Sequence, residues 1–308
     1  MINFVEKRKI SFTISAILFV ASIMAMVTFG LRPGIDFTGG SLMEVTFTKE
    51  RPTIEQVSEA LAPLNVGTVL AQPTGEKGFL IRTPFVSDEV HQKMLDTLRE
   101  KFGKEQNPEG VPEITEQRFE TIGPSVSSQL KKRSIQAVFG VVLIIILYVA
   151  YSFRKVSRPV SSWMYGVAAI LASIHDVIIT LGIIAVLGKF TGMEITIAVV
   201  VALLTVLGYS VNDTMVAFDR IRENLIKGKG KDFSDVVNLA LNDTLARSIN
   251  TSFTSLVVVV IFYVMGGESI QPIALILAIG IFLATCSSVF VTSPLLVSFH
   301  EWRQRRRS

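Results

Sequence analysis

The side chains in this sequence that could carry proton chemistry are charged or imidazole groups inside apolar segments. Asp213 follows Asn212 in the stretch VLGYSVNDTMVAFDR, whose first residues are as apolar as those of a membrane span. A charged residue at the centre of a membrane helix costs about 2.5–3.5 kcal/mol on insertion scales, so its presence requires an explanation. His175 and Asp176 raise the same question in another apolar run. We interpret Asp213 as a carboxyl that gains and loses a proton within a low-dielectric setting.

The depth of these residues follows from the helical rise. Asp213 lies 18 residues beyond the outer end of its apolar segment, which is about 27 Å and places it in the inner part of the hydrocarbon. Arg247 begins the next segment on the same side, so we expect the two opposite charges to pair. His175 and Asp176 lie near the midplane and point about 100° apart, so at most one of them can face the partner of Asp213.

Polar stripes at helical spacing accompany these charges on three apolar segments. They comprise Thr205, Tyr209, Asn212 and Asp213; Arg247, Thr251, Thr254 and Ser255; and Thr285, Ser288 and Thr292. We interpret them as the walls of a hydrated path whose predicted relay residues are Asp213, Arg247, Asn212, His175, Asp176, Tyr209 and Thr251. Two alternatives stay open: the hydroxyls could serve only to hold helices together, and an Asp213–Arg247 pair could be architectural.

The elements that must position these residues are membrane helices. The chain has 308 residues, of which 49% are hydrophobic, and its mean hydropathy is +0.49. A span needs about 20 apolar residues, and six runs qualify or come close: Ile10–Leu31, Ser134–Phe153, Trp163–Leu187, Ile195–Val216, Ile249–Met265 and Pro272–Phe299. The first run is longer than the roughly 7–15 residues of a cleavable signal core, so we expect an uncleaved anchor.

The distribution of Lys and Arg predicts that both termini lie in the cytoplasm. The predicted inner segments hold Lys7, Arg8, Lys9, Arg154, Lys155, Arg158, Arg220, Arg222, Lys227, Lys229, Lys231, Arg247 and the terminal RQRRR, whereas the short outer loops hold only Lys189. Lys131, Lys132 and Arg133 run against this pattern, but they end a long segment, and long domains translocate largely regardless of charge. The resulting domains are 1–31, an extracytoplasmic domain 32–133, a membrane domain 134–299 and a basic tail 300–308.

Residues 32–133 have the composition of a soluble domain and a recognisable order of elements. SLMEVTFT alternates as a strand, and Thr53 and Gln56 are spaced as a capping box at the start of a helix. Strands at Val66–Gln72 and Gly78–Thr83, a helix at Ser87–Phe102 and a strand at EQRFETIG follow. This β-α-β-β-α-β order predicts a ferredoxin-like α+β fold. We expect His91 to face solvent or to pack rather than to catalyse.

The sequence motifs point away from nucleotide-driven or hydrolytic chemistry. GIIAVLGKF lacks the spacing and the Ser or Thr of a phosphate-binding loop, and neither HExxH nor GxSxG occurs. The single Cys286 lies in the sixth run, and the net charge of +4 is explained by basic loops facing anionic lipid rather than by nucleic acid. We therefore expect no cofactor, no metal, no enzymatic activity and an ion gradient as the energy source.

Six motifs occur in order over almost the whole chain: GIDFTGGSLMEV, ETIGPSVSSQLKK, SIHDVIITLG, LGYSVNDTMVAFDRIREN, TLARSINTS and FYVMGG. In these motifs the chain resembles the SecF family of bacterial Sec translocation subunits, within the resistance-nodulation-division superfamily. The resemblance implies a six-span subunit of the plasma membrane that pairs with SecD beside the SecYEG channel and uses the proton gradient to assist preprotein translocation. It also implies proton-transport roles for Asp213 and Arg247.

Two other functions remain alternatives at this stage. One is a proton-coupled small-molecule or lipid exporter of the same superfamily, against which the small outer domain argues. The other is a purely structural assembly factor, for which the intramembrane charges would be replaceable by apolar residues.

Overall fold

A computed structural model describes residues 1–48, 51–103, 114–154, 160–267 and 270–306. Lys155, Arg158 and Arg307, which enter the charge argument, lie outside the described residues. The chain divides into two compact units, one made of Met1–Arg32 with Ile135–Ser308 and the other of Pro33–Ser134. We call them the membrane unit and, after the position expected from the sequence, the outer unit.

The secondary structure follows one chain order through both units. The elements are α1 (Arg8–Phe29), α2 (Ile35–Thr38), β1 (Gly40–Phe47), α3 (Ile54–Leu61), a 3₁₀ turn (Ala62–Leu64), β2 (Leu70–Thr74), β3 (Gly78–Thr83), α4 (Asp88–Phe102), β4 (Ile114–Ile122), α5 (Pro124–Ser152), α6 (Ser162–Thr191), α7 (Ile197–Ile226), α8 (Phe233–Met265), α9 (Gln271–Ser287), a π turn (Ser288–Thr292) and α10 (Ser293–Arg305).

Six helices among the described residues are long and apolar enough to cross a membrane. They are α1, α5, α6, α7, α8 and the continuous α9–π–α10 helix, which we call spans one to six. The fifth predicted run, Ile249–Met265, is only the apolar part of α8, which begins at Phe233. Asp232 caps this earlier start because its side chain accepts a 2.8 Å hydrogen bond from the Asp235 amide. Hydropathy marks the part of a helix that suits lipid, not the whole helix.

The sixth span contains a change of helical register. The π turn ends at Thr292, two residues before Pro294, whose ring nitrogen cannot donate a helical hydrogen bond. The hydroxyls of Thr292 and Ser293 donate to carbonyls five residues earlier, at Ser287 and Ser288, each over 3.1 Å. Isolated π turns are frequent at functional sites, and this one begins at Ser288.

The core of the membrane unit lies between spans three, four and six. Tyr165 stacks on Phe153 at 5.0 Å between ring centroids and meets Phe218 edge-on at 5.2 Å. Spans two and five keep most of their side chains exposed within this chain. The apolar surface of these two peripheral helices is suited to lipid or to a partner protein.

An N-terminal segment, Met1–Lys7, is fastened to the end of α8 that precedes the membrane. The side chain of Asn242 accepts from the Ile2 amide and donates to the Ile2 carbonyl, both over 2.9 Å. Asn238 accepts from the Phe4 amide over 2.9 Å, and Phe4 and Val5 are buried. These contacts hold the start of span one against spans five and six.

The outer unit is a four-stranded antiparallel sheet in the order β2-β3-β1-β4, covered by α3 and α4. Val45, Ile81 and Leu98 are fully buried in its core. The predicted capping box of α3 is confirmed, since Thr53 and Gln56 bond each other's backbone amides. His91 packs: it is buried, stacks on Phe119 and lies 2.6 Å from the carboxylate of Glu116.

Candidate proton-relay site

Asp213 lies on α7 with its side chain turned into the membrane unit. The residue is 6% exposed, and the hydroxyl of Ser288, at the start of the π turn, donates to its Oδ2 atom. The same hydroxyl lies 3.1 Å from the carbonyl oxygen of Thr285. Because one hydroxyl hydrogen serves one acceptor at a time, Ser288 can donate either to a carboxylate or to this carbonyl. A protonated Asp213 could then donate its own hydrogen to Ser288, so both protonation states find partners.

A line of hydroxyls joins this site to span five. Tyr209 donates to Ser252 over 3.0 Å, and Ser252 lies 2.5 Å from the hydroxyl of Thr285. Tyr209 and Asp213 are one helical turn apart on α7, so they share a face. Polar contacts therefore connect spans four, five and six around Asp213.

Asp176 on α6 forms a second buried carboxyl centre. It is 0% exposed, and Ser210 of α7 donates to its Oδ2 atom over 2.7 Å. The Nδ1 atom of His175 lies 3.1 Å from Oδ1, and the Nε2 atom lies 2.6 Å from the hydroxyl of Ser15 on α1. A neutral ring that donates from Nδ1 and accepts at Nε2 satisfies both contacts.

The two carboxyl centres are neighbours along the same helices. Ser210, which contacts Asp176, precedes Asp213 by three residues on α7, which is about 4.5 Å of helical rise. On the sixth span, Ser288 contacts Asp213, and the adjacent Ser287 is buried beside Asp176. Consecutive serines of span six thus lie beside the two carboxyls.

The expected ion pair between Asp213 and Arg247 is not formed. Asp213 faces span six, while Arg247 is exposed and makes no ion pair within the part of the chain that the structure describes. The hydroxyl of Thr251 donates to the Arg247 carbonyl over 2.9 Å, and Thr251 is itself exposed. Asp213 and Arg247 lie at similar depth in adjacent spans, but their side chains point in different directions around their helices.

The predicted polar stripe of span four also divides between two faces. Thr205 and Asn212 are exposed, whereas Asp213 is buried and Tyr209 is half-buried. Residues seven apart point within about 20° of each other, but residues eight apart differ by about 80°, so Thr205 and Asp213 do not share a direction. Asn212 therefore faces the outside of the membrane unit, whereas Asp213 faces its interior.

Three polar partners were missed by sequence reasoning: Ser15, Ser210 and Ser252. Ser15 lies in a mainly apolar run, whereas Ser210 and Ser252 lie in the polar stretches YSVND and NTSFTS. Serines in membrane helices commonly bond within their own helix or to a neighbour. The available signal was weak: Ser210 lies one turn before Asp213, and Ser252 lies five residues after Arg247. Nothing in either spacing tells which neighbouring helix the hydroxyl meets.

Comparison with known proteins places this chain in a family. The model described as "Protein export membrane protein SecD/SecF, C-terminal" matches residues 103–302, and the model of the SecD/SecF GG motif matches residues 25–50. This chain belongs to the SecF family. The protein translocase subunit SecF of Thermobaculum terrenum is 38% identical over 97% of the chain and 94% of its own length.

Longer relatives contain the same region as one part of a single chain. The protein translocase subunit SecDF of Brucella abortus is 33% identical to 97% of this chain, which corresponds to 37% of that protein. The crystal structure of SecDF from Thermus thermophilus, described as a translocon-associated membrane protein, matches 97% of this chain with a TM-score of 0.81 and 30% identity. That match covers 38% of the solved chain.

Proposed function

We propose that this chain is a non-enzymatic accessory subunit of Sec-dependent preprotein translocation, which works with SecD beside the SecYEG channel. Its relatives are named protein translocase subunits, and in SecDF proteins the matching region shares one chain with the rest of the molecule. We further propose that the proton gradient drives its movements. The electrical part of such a gradient supplies roughly 2.3 kcal/mol per proton for each 100 mV.

The observation that carries the proton-driven mechanism is the setting of Asp213. Its carboxyl is buried in an apolar span, and its partner Ser288 has a second acceptor within reach. Proton binding would turn the Ser288 hydroxyl towards Thr285 and exchange a charge-assisted hydrogen bond for neutral ones, which are roughly half as strong. Because Ser288 lies at a π turn, this exchange would act where the sixth span is already irregular.

The exposed polar face of spans four and five supports a protein partner. Asn212, Arg247, Asn250 and Thr254 are all exposed within this chain. Arg247 directly precedes the apolar part of span five, and an arginine that faces lipid costs up to about 2.5–3.5 kcal/mol, the value at the centre of a span. We propose that SecD covers this face and that Arg247 acts there on the proton site, either through a partner carboxyl or after a helix rearrangement.

The proposed orientation places both termini in the cytoplasm and residues 32–133 on the outer side of the bacterial inner membrane. The asymmetry of Lys and Arg among short loops supports it. On this proposal the outer unit, which we interpret as ferredoxin-like, would contact preproteins or the outer domain of SecD as the spans move.

The test is a charge-removing substitution of Asp213 with a matched control. Asp213→Asn keeps an oxygen that accepts from Ser288 but cannot exchange a proton at neutral pH. In cells depleted of SecF, the variant should insert normally and fail to restore gradient-dependent secretion. Asp219→Asn, whose side chain is 74% exposed on the same helix, should restore it. Secretion by Asp213→Asn equal to that of the parent chain would refute the mechanism.

A further inference from the structure

A cleft of about 540 Å³ opens between span one, span three and span six of the membrane unit. Its walls are chiefly apolar, with Ile14, Leu18, Ile179 and Phe290 among the lining residues. Ile14, Leu18 and Phe290 are also exposed on the outside of the unit. The cleft therefore continues into the apolar surface that meets the membrane, where acyl chains are the surrounding solvent.

The part of the cleft that follows span one is about as long as one leaflet of a bilayer; the lining also includes Ile2, Asn3 and Phe4 of the N-terminal segment. Along span one its lining runs from Lys7 to Leu18, a separation of eleven positions that corresponds to about 16 Å of helical rise. Half of a hydrocarbon core about 30 Å thick is about 15 Å. An acyl chain that starts at the level of Lys7 would reach the bilayer centre at the inner end of the cleft.

The two ends of the cleft differ in polarity. Lys7 lies at the membrane-surface end, is exposed and makes no ion pair within the residues that the structure describes, whereas its neighbour Arg8 is bound to Glu301 at 2.7 Å. The other acid nearby, Glu6, accepts a hydrogen bond from Asn3 over 3.1 Å. Lys7 is thus left as a cation for an anionic group at the mouth.

The inner end of the cleft reaches the second carboxyl centre. His175 and Ser15 both line it, as does the buried Ser287. A chain end in this position would lie against the Ser15–His175 hydrogen bond and keep bulk water from it.

We propose that this cleft binds one anionic phospholipid, with its phosphate at Lys7 and one acyl chain along span one towards His175. The apolar lining, the leaflet-sized stretch along span one and Lys7, the cation among the described lining residues, support this occupant over a peptide or a second copy of the chain. A bound lipid would seal the Asp176 centre on the side of span one.

The natural single cysteine provides the readout, because Cys286 also lines the cleft. The full chain is placed in nanodiscs of phosphatidylglycerol or of phosphatidylcholine, and the rate of Cys286 alkylation by a small maleimide is measured. Phosphatidylglycerol should slow alkylation relative to phosphatidylcholine. Native mass spectrometry of the same samples after transfer to detergent should show one retained phosphatidylglycerol.

Two pairs of variants separate the headgroup from the chain. Lys7→Gln should lower phosphatidylglycerol retention about fivefold, the effect of one basic residue near a membrane surface, whereas Lys9→Gln, outside the lining, should not. Ser11→Phe should fill the cleft and abolish retention, whereas Thr13→Phe on the lipid-facing side should not. Equal protection by both lipids, or retention unchanged in Lys7→Gln and Ser11→Phe, would overturn the proposal. Concentration-dependent protection without lipid would also overturn it, because the occupant would then be a second chain.

Discussion

Gly280 on α9 faces Val206 on α7 so closely that no side chain fits between them. A methyl group at Gly280 would lie 2.1 Å from Val206 Cγ2 and 2.6 Å from Cγ1. Carbon atoms prefer about 3.5–4.0 Å, so the two helices would have to separate by about 1.4 Å. Val206 is fully buried and cannot move aside. Overpacking of this kind costs about 1–3 kcal/mol.

The same separation should reach the proton site. Val206 and Gly280 precede Asp213 and Ser288 by seven and eight residues on their helices, about two turns in each case. An added separation of more than 1 Å at that distance would break the Asp213–Ser288 hydrogen bond. We expect Gly280→Ala to lower the thermal stability of the full chain in detergent and to abolish secretion support in SecF-depleted cells.

Two companion variants make this prediction specific. Gly140→Ala on α5 is the control, because a methyl there meets no atom within 4 Å, and it should support secretion as the parent does. Val206→Ala added to Gly280→Ala leaves Val206 Cβ as the nearest atom, at 2.9 Å, and should recover part of both losses. The reasoning is refuted if Gly280→Ala has the same thermal stability and secretion support as the parent. It is also refuted if adding Val206→Ala lowers both further, by the effect that it has alone.

Three further substitutions test local contacts. Ser210→Ala removes the donor to buried Asp176, which should cost about 1–3 kcal/mol and lower the midpoint of thermal unfolding. Thr53→Ala removes a helix cap worth about 1 kcal/mol, so amide exchange in α3 should rise about fivefold, whereas Thr97→Ala should leave it unchanged. Asn242→Ala releases the backbone of the N-terminal segment, and amide exchange at residues 2–5 should become faster.

Each of these three predictions has an outcome against it. Unchanged unfolding in Ser210→Ala would mean that Asp176 is satisfied without that hydroxyl. Equal amide exchange rates of α3 in Thr53→Ala and Thr97→Ala would mean that the Thr53 cap does not stabilise α3. Slow exchange near Ile2 in Asn242→Ala would mean that buried Phe4 and Val5 hold the N-terminal segment by themselves.

Local signals in the sequence predicted the elements of the outer unit well. The strand Gly78–Thr83 has the predicted bounds, because its alternation and flanking turn residues are contained within it. The preceding strand does not: it was predicted at Val66–Gln72 and lies at Leu70–Thr74. Val66 is apolar because it packs into the core from the loop after the 3₁₀ turn, and apolarity alone does not separate that role from a strand.

The positions of the candidate site residues along the chain could be predicted from the sequence, but their contacts with other helices could not. Apolar runs located Asp213, Asp176 and Arg247 within or at the ends of spans, since the cost of burying charge makes such residues conspicuous. Which neighbour each one meets depends on how the helices rotate and pack. Periodicity along one helix does not contain that information, so the expected Asp213–Arg247 pair is not formed in this structure and the Ser210 contact was missed.

The central claim is that the buried carboxyl of Asp213 takes up and releases a proton. It is tested most directly by infrared difference spectroscopy of the full chain with SecD in lipid, recorded as the external pH is stepped down. A protonated-carboxyl C=O band should grow in the parent, be absent in Asp213→Asn and persist in the Asp219→Asn control. A band of the same size in Asp213→Asn would show that another carboxyl binds the proton, and the account would be wrong.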